Sequence, residues 1–266
     1  MKALTVIKVG GKIVEDEVSL TQFLRDFSSV EGPKVLVHGG GRSATKVAGK
    51  LGIESVMIGG RRITDSDMLD VVTMVYGGLV NKNIVARLQA MGINALGLTG
   101  ADINIMLSHK RPLKKVRMDD GSEQMIDFGF VGDVDKTDGK MLTTLIEEGI
   151  TPIIAPLTHD GQGSLLNTNA DTIASEIAKA LAPFFDVTLL YCFEHEGVLS
   201  NPDDEGSVIP LITSENFERL KADGTVCGGM IPKIENALNA VNAGVRQVII
   251  KKADSIGEND LGTTIR

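Results

Sequence analysis

The sequence predicts an α/β fold whose central layer is a parallel sheet. Residues 4–9 and 35–38 are short apolar runs of the length of buried strands, and residues 18–30 between them carry apolar side chains at helical spacing. A strand–helix–strand unit of this kind pairs its two strands in parallel. Strand and helix patterns continue to alternate along the chain, which is typical of a sheet covered by helices.

Composition and charge restrict the classes of protein to which the chain can belong. Its 266 residues, 42% of them hydrophobic, suffice for one large or two small domains with a substantial core. The net charge of −8 argues against nucleic acid and anionic membranes as partners. No apolar run approaches the ~18 residues of a spanning helix, and a strand from residue 4 leaves no room for a signal peptide. Cys192 and Cys227 are too few for a zinc site or a disulfide framework, which fits a reducing cytoplasm.

Two glycine-rich loops follow two of the predicted strands. Residues 39–41 are all glycine and follow the strand at 35–38, and the glycine pair 10–11 follows the strand at 4–9. Glycine lets a ligand approach the backbone closely, and N–H groups at the start of a helix can face an anion. One such loop alone is also consistent with a tight turn that binds nothing. Because there are two, the sequence predicts one crevice that holds anions from both sides.

Lys8 lies on the first predicted strand, with Val6 on the same face and Ile7 and Val9 on the other. A buried lysine without a partner is costly. Two interpretations therefore remain open. The strand is at an edge and the lysine is solvated, or the lysine points into the crevice, because the carboxyl ends of parallel strands gather ligands.

A hairpin is predicted at residues 54–63, with its turn at the glycine pair 59–60. Arg61 and Arg62 follow the turn. Two guanidinium groups suit a bidentate clamp for a carboxylate, and a surface charge pair explains them equally well.

A long helix follows, capped by Thr64 or Asp65 and ending near residue 92. Its apolar side chains cover most of the circumference, which is typical of a helix that is buried on more than one side. We therefore expect part of it to form a homodimer interface.

The remaining segments continue the alternation. Strands are predicted at residues 94–98, 105–116, 125–134, 151–155, 187–191 and 245–251, and helices at 43–51, 138–148, 172–181, 214–222 and 232–243. Polar residues and turns interrupt the strands at 105–116 and 125–134, so we expect hairpins over the edge of the sheet. Ser214 is the predicted cap of its helix, and residues 156–163 and 194–206 are predicted polar loops.

Polar residues cluster before the helix at 172–181. Asn169 is a good N-cap and Asp171 suits the helix dipole, so capping alone explains both residues. Asn167 precedes the cap and is not explained by it. Lys233 lies in the first turn of its helix, where the dipole disfavours a cation. A residue placed against its local preference indicates a function.

Taken together, these motifs resemble the amino-acid kinase family, and within it the N-acetylglutamate kinases of arginine biosynthesis. The resemblance covers nearly the whole chain, and six motifs in this order and spacing make it specific. They are IKVGG at 7–11, VHGGG at 37–41, RIT at 62–64, NTNAD at 167–171, GGMIPK at 228–233 and GTTI at 262–265.

The resemblance implies a single domain over residues 1–266, with an open, mainly parallel sheet of about eight strands between helices. Residues 1–155 would bind the acyl amino acid and residues 156–266 the nucleotide. The implied reaction transfers a phosphoryl group from ATP to the γ-carboxylate of N-acetyl-L-glutamate. The implied cofactors are ATP and Mg²⁺, and the metal would be held by phosphates and water with no ligand assigned to the protein.

The resemblance also implies roles for particular residues. Lys8 would stabilise the transferred phosphoryl group, Lys233 would bridge the nucleotide phosphates, and Asp171 would orient both lysines. The implied substrate-binding residues are Gly39, Gly40, Gly41, Arg62, Asn167 and Asn169. The implied nucleotide-phosphate residues are Gly10, Gly11, Gly228, Gly229 and Lys233.

Elementary chemistry agrees with these roles. Phosphoryl transfer depends on alignment and charge neutralisation more than on proton transfer. A carboxylate acceptor is already ionised at pH 7, so no general base is needed. Two lysines, an aspartate, Mg²⁺ and the N–H groups of two loops supply the required charges.

The sequence departs from the family pattern in two places. Residues 191–197 lack the aspartate of the family's usual Asp-Val-x-Gly turn and are one residue longer, so nucleotide contacts are expected to differ there. No extra helix precedes Met1, and in the family such a helix accompanies hexamers that arginine inhibits. We therefore expect a simple homodimer without that feedback.

Other enzyme classes fit less well. No GxxxxGK[ST] string of P-loop enzymes occurs, and no serine has the G-x-S-x-G setting of α/β-hydrolases. The chain is too short for the regulatory domains of aspartokinases, and Arg62 with Asn167 suits an acylated amino acid better than the substrates of uridylate or carbamate kinases. Two alternatives stay open, an N-succinyl-L-glutamate kinase with the same mechanism and a kinase-like binding or regulatory protein with impaired catalysis.

Overall fold

A computed structural model describes residues 1–117, 121–201, 203–228, 230–257 and 262–266. Within these residues the strands are β1 Ala3–Val9, β2 Lys34–His38, β3 Met57–Ile58, β4 Arg61–Arg62, β5 Ala95–Leu98, β6 Met106–Lys110, β7 Lys114–Arg117, β8 Glu123–Ile126, β9 Gly132–Thr137, β10 Thr151–Ile154, β11 Leu157–His159, β12 Leu165–Asn167, β13 Asp186–Phe193, β14 Leu211–Ile212, β15 Gln247–Lys252 and β16 Thr263–Ile265. The α-helices are α1 Gly11–Glu15, α2 Glu17–Ser29, α3 Gly41–Lys50, α4 Ser66–Val72, α5 Asn81–Ala90, α6 Gly139–Glu147, α7 Ala170–Leu181, α8 Ser214–Ala222 and α9 Met230–Asn242.

The central sheet has eight strands in the order β14-β16-β15-β13-β1-β2-β10-β5. Every neighbouring pair is parallel except β15 and β16, which are antiparallel. The predicted fold class is therefore confirmed. Since β1 lies between β13 and β2, with Lys8 opposite Tyr191 and Val37, the interpretation of Lys8 as a solvated residue on an edge strand is wrong.

Helices cover both faces of this sheet, and the alternation along β1 divides the core between them. Leu4 and Val6 belong to the apolar cluster that contains α7, whereas Ile7 and Val9 belong to the cluster under α2. Lys8 shares the face of Val6, as the period-two pattern predicts. The direction in which Lys8 points is thus set by the burial of its apolar neighbours.

The long helix is present, but its middle differs from the prediction. Asp65 caps its start, because the Asp65 carboxylate accepts a hydrogen bond from the Met68 N–H. Between α4 and α5 the backbone forms the π-helical stretch Thr73–Val80. A π-helical turn shifts the side chains that follow it relative to an α-helix, and such turns frequently mark functional sites. The apolar pattern of residues 73–80 does not distinguish it from an α-helix.

Several local expectations need correction. The predicted polar loop at 156–163 contains β11, which pairs with β12 and β6 in a four-stranded sheet completed by β9. The hairpins predicted over the edge of the main sheet are this second sheet and the β7–β8 ribbon. Thr213, not Ser214, caps α8, because its hydroxyl accepts from the Asn216 N–H while the Asn216 side chain accepts from the Thr213 N–H.

In the parts of the chain covered by the structure, every helix is too short or too polar to cross a bilayer.

Candidate active site

The two glycine loops meet at the carboxyl ends of β1 and β2. The Gly39 N–H donates to the Val9 carbonyl at 3.0 Å. A Cβ on Gly39 would lie 3.2 Å from the Gly11 nitrogen, and one on Gly11 would lie 3.8 Å from the Gly40 nitrogen. A Cβ at residue 39 would be too close unless the loop shifted, so the two glycine loops are close neighbours at this edge of the sheet. That they hold anions from both sides of one crevice stays a prediction.

Lys8 and Asp171 form an ion pair beside this crevice. The Lys8 Nζ lies 2.8 Å from the Asp171 Oδ1, at the junction of β1 and the first turn of α7. The Asn169 side chain caps α7 by accepting from the Asp171 and Thr172 N–H groups at 2.8 and 3.2 Å. The predicted cap is confirmed, and it fixes the turn that carries the carboxylate.

Lys233 reaches the same place from α9. Lys8, Asp171 and Lys233 all line one narrow cleft with Phe193, and the Lys233 Nζ lies 4.9 Å from the centre of the Phe193 ring. We call this the lysine cleft. Three residues that are far apart in the sequence, and that the family resemblance singles out, are thereby brought together.

The charge of Asp171 is set by its surroundings. Burial alone would raise the pKa of the Asp171 carboxyl, but the Lys8 ammonium, with a smaller contribution from Lys233, holds that pKa below its ordinary value. The Tyr191 hydroxyl donates to the Asp171 carbonyl at 3.1 Å, and burial raises the pKa of Tyr191. The cleft therefore contains an ionised aspartate between two cations, with a neutral tyrosine beneath it.

A cavity of about 210 Å³ opens beside the second glycine loop. We call it the arginine cavity, because Arg61, Arg62 and Arg111 all line it. It also contains the predicted substrate-binding residues Gly39, Gly40, Gly41, Asn167 and Asn169.

Arg62 is held firmly in the wall of this cavity. It is only 8% exposed, so the interpretation of Arg62 as one half of a surface charge pair is wrong. Its Nη2 donates to the Gly41 carbonyl at 2.7 Å and to the Thr45 hydroxyl at 2.9 Å, and its Nη1 bonds Ser55. The Asn167 amide donates to the Thr64 hydroxyl at 3.0 Å. Both side chains are therefore oriented before any ligand arrives.

Tyr76 and Arg111 line the arginine cavity but were missed by the sequence analysis. The ring of Tyr76 lies against Gly40, where a Cβ would be 2.9 Å from its Cδ1. Arg111 binds both carboxylate oxygens of Asp133 through Nε at 3.1 Å, and Phe128 lies beneath its guanidinium. The position of Tyr76 depends on the π-helical stretch and that of Arg111 on the second sheet, so no local signal could have revealed them.

A second cavity, of about 290 Å³, borders the first glycine loop. We call it the loop cavity, and its lining includes Gly10, Gly11, Lys12, Arg42 and Glu194. Lys12 and Glu194 form an ion pair of 2.7 Å across it.

The segment that departs from the family pattern begins later than expected. β13 extends to Phe193, so the turn starts at Glu194. A further ion pair of 3.3 Å joins Glu196 to Lys252. Of the other predicted phosphate residues, Gly228 has a φ of +55° in the turn before α9, and Gly229 lies outside the described residues.

A family model described as the amino acid kinase family matches residues 3–252. The chain belongs to the amino acid kinase family. It is 62% identical over 263 residues to a protein of Bacteroides thetaiotaomicron named acetylglutamate kinase, with 99% of this chain and 98% of that protein covered. It is 38% identical to an acetylglutamate kinase of Methanopyrus kandleri, with 99% and 100% covered.

Solved structures agree with this membership. The crystal structure of smu.665 from Streptococcus mutans has a TM-score of 0.77 at 29% identity and 98% coverage of both chains. A carbamate kinase from Giardia has a TM-score of 0.68 at 14% identity, with 99% of this chain and 98% of that chain covered. The second likeness concerns the fold alone.

In this family member, His38 lies directly beneath the glycine loop. It is fully buried at the end of β2, with Nδ1 2.8 Å from the Gly39 carbonyl and Nε2 3.1 Å from the Asn81 amide nitrogen. Burial lowers the pKa of His38 to about 4, so its imidazole is neutral at pH 7. In the sequence, His38 stands out only as part of the VHGGG motif, and Asn81 does not stand out at all.

The low pKa of His38 predicts a specific pH dependence of stability. Between the unfolded pKa of about 6.5 and the folded pKa of about 4, the unfolded chain binds the proton more tightly, so stability falls as the pH is lowered. When the pH is lowered from 7 to 5, the free energy of unfolding should fall in both proteins. We expect the fall to be about 2 kcal/mol larger in wild type than in His38→Asn. Urea unfolding at the two pH values measures this difference. An equal loss in both proteins would contradict the assignment.

Proposed function

We propose that this protein is an acetylglutamate kinase of arginine biosynthesis, which transfers the γ-phosphoryl group of ATP to the γ-carboxylate of N-acetyl-L-glutamate. The observation that carries the proposal is the agreement of relatives that are 60–62% identical over nearly the whole chain and share this name. The arrangement of the lysine cleft beside two glycine loops supports it independently.

The reaction forms one bond and breaks one. A γ-carboxylate oxygen of the acyl glutamate attacks the γ-phosphorus of ATP, and the bond from that phosphorus to the β,γ-bridging oxygen breaks with its electron pair leaving on ADP. The products are N-acetyl-L-glutamyl 5-phosphate and ADP. No proton moves, because the attacking carboxylate is ionised at pH 7.

Lys8 and Lys233 supply positive charge in this proposal. Lys8 stabilises the transferred phosphoryl group, and Lys233 binds the nucleotide phosphates. Asp171 lies 2.8 Å from Lys8 and lines the same cleft as Lys233, which suits a carboxylate that orients both ammonium groups. The N–H groups of Gly11 and Gly40 bind phosphoryl oxygens from the two loops.

The arginine cavity suits the acyl amino acid. Arg62 presents a preoriented guanidinium for the α-carboxylate, and Asn167 presents an amide for the acyl amide. Asn169 borders the same cavity. In this proposal the acyl glutamate is bound by residues 1–155, together with Asn167 and Asn169. The nucleotide is bound by the rest of residues 156–266, together with Gly10 and Gly11.

The residues around the loop cavity suit phosphates better than a bare metal ion. Across the described segments, no three His, Cys, Asp or Glu residues are grouped so that they could bind a metal. The loop cavity instead offers glycine N–H groups, Lys12 and Arg42. The site therefore fits Mg²⁺ that arrives on ATP, where it would neutralise phosphate charge.

We also propose a cytoplasmic location and a homodimer. The reaction consumes ATP, and both cysteines are free thiols. The dimer is supported by the long helix, where Met74 and Leu79 of the π-helical stretch are 54% and 53% exposed. Large apolar side chains that are exposed on the same helical stretch suit contact with a second copy.

A second candidate function is supported by the surplus of cations in the arginine cavity. N-acetylglutamate has one carboxylate besides the reacting one, and Arg62 is placed for it. The cavity contains two further arginines, Arg61 and Arg111, and Asp133 neutralises only the charge of Arg111. N-succinyl-L-glutamate carries a third carboxylate, which this remaining charge could bind.

Removal of either lysine should abolish most turnover while the protein stays folded. We expect Lys8→Ala and Lys233→Ala each to lower kcat by at least about 100-fold, because each removes a charge that stabilises the transferred group. An ADP-release assay with circular dichroism measures both effects. Lys179→Ala is the matched control, since Lys179 lies at the far end of α7 and pairs with Glu176. Unchanged rates in both cleft variants would refute the assigned roles.

The acyl group of the substrate can be identified by comparing kcat/KM for N-acetyl-L-glutamate, N-succinyl-L-glutamate and free L-glutamate in the same assay. The proposed function expects the acetyl substrate to exceed the others by at least about tenfold. A preference for the succinyl substrate that Arg61→Ala weakens selectively would establish the second candidate. A preference for free glutamate would contradict both.

Sedimentation velocity at micromolar concentration tests the dimer. Wild type should sediment as two chains, and Met74→Glu combined with Leu79→Glu should sediment as one, because the new charges would be buried at the contact. Met125→Glu is the control, since Met125 is similarly exposed, at 60%, on β8. A wild-type monomer would remove the proposal.

A further inference from the structure

The imidazole of His38 has a defined tautomer. A neutral ring carries one N–H, and the Gly39 carbonyl, 2.8 Å from Nδ1, can only accept. The proton is therefore on Nδ1, which donates to Gly39. The Nε2 atom accepts from the Asn81 Nδ2 at 3.1 Å. His38 thus transmits the position of the Asn81 amide to the carbonyl at the start of the glycine loop.

The Asn81 amide is itself fully engaged. Its Nδ2 carries two hydrogens, of which one goes to His38 and the other to the Ile153 carbonyl at 2.9 Å. Its Oδ1 accepts from the Lys82 Nζ at 3.1 Å. A Cβ on Gly97 would lie 1.9 Å from that Oδ1, so the side chain has room only because residue 97 is glycine. The amide is therefore oriented by contacts with β2, β5 and β10.

The Gly39 carbonyl controls the direction of the Gly40 N–H. Both groups belong to one planar peptide unit, in which they point in opposite directions. Glycine residues have wide backbone freedom, and a loop of three has no side chain to hold it. The Gly40 N–H finds no acceptor within the described part of the chain, so it is available to a ligand.

We propose that His38 and Asn81 are positioning residues for phosphoryl transfer, which hold the Gly39–Gly40 peptide so that the Gly40 N–H meets the phosphoryl oxygens. This rests on the proposed kinase function. Neither side chain is among those that line the arginine cavity, the loop cavity or the lysine cleft, so both act through the Gly39 carbonyl. Asn81 directly follows the π-helical stretch, whose Tyr76 supports Gly40 from the same helix.

Two substitutions of His38 separate positioning from simple filling of space. The amide nitrogen of His38→Asn can take the place of Nδ1 and donate to Gly39. The amide of His38→Gln reaches the place of Nε2 and leaves Gly39 without its donor. We expect His38→Gln to lower kcat by about 10- to 100-fold with both KM values within about threefold, and His38→Asn to keep kcat within about fivefold. Equal losses in both variants would overturn the proposal.

Asn81→Leu has a matched control in Gln89→Leu. Gln89 also lies on α5 and donates from its side chain to a strand carbonyl, that of Ala95 at 3.0 Å, but it does not contact the glycine loop. Asn81 is buried and Gln89 is exposed, so Asn81→Leu should lower the thermal midpoint at least as much as Gln89→Leu, and only Asn81→Leu should lower kcat by about 10-fold or more. If Asn81→Leu loses stability but keeps its kcat, as Gln89→Leu does, then the role of Asn81 is structural and the proposal fails.

Nitrogen-15 NMR of the wild-type histidines provides a test that needs no activity. The proposal expects His38 to be neutral with its proton on Nδ1 at pH 7, and a proton on Nε2 would overturn it. If the wild-type protein phosphorylates no acyl glutamate, the proposed function is refuted. The NMR result would still show whether His38 donates to the Gly39 carbonyl beneath the loop.

Discussion

The ion pair between Lys8 and Asp171 is the contact on which the arrangement of the site depends. β1 lies in the middle of an eight-stranded sheet, where an ammonium group without a partner would be strongly destabilising. The carboxylate of Asp171, 2.8 Å away, stabilises it there, and this requires the N-terminus of α7 to dock at the carboxyl end of β1. The cap at Asn169 fixes that docking, so one polar contact links the strand, the helix and the cavity wall.

Much of the fold could be predicted from the sequence because its signals are local. Alternation along β1 determines the face on which Lys8 lies. The glycine pair at 10–11 and the glycine triplet at 39–41 mark the ends of their strands, whichever ligand is bound. The cap of α8 shows the limit of such signals. Ser214 and Thr213 are both good caps, and the choice depends on Asn216, whose side chain and N–H both bond to Thr213 and to no other candidate.

The rest could not be predicted because it depends on tertiary register. Asn81 faces His38 only after a π-helical stretch has shifted the following side chains, and Arg111 reaches its cavity only through a second sheet whose strand β11 lay in a predicted loop. Neither residue is unusual for its local sequence. Lys233 differs, since a lysine in the first turn of a helix opposes the dipole and can be recognised without a structure.

The two sides of the site are joined by contacts of very different strength, and this difference suits an enzyme that must admit and release a nucleotide. The pairing of β1 with β13 is a continuous ladder of buried strands that holds Lys8 in register. At the loop cavity the joining contact is the exposed pair Lys12–Glu194, and an exposed pair contributes only about 0–1 kcal/mol. Because nucleotide phosphates would compete directly for Lys12, that pair can open at small cost while the ladder beneath the lysine cleft remains intact. Rigidity is thus concentrated where charges must be aligned, and the adjustable contacts lie where a ligand enters.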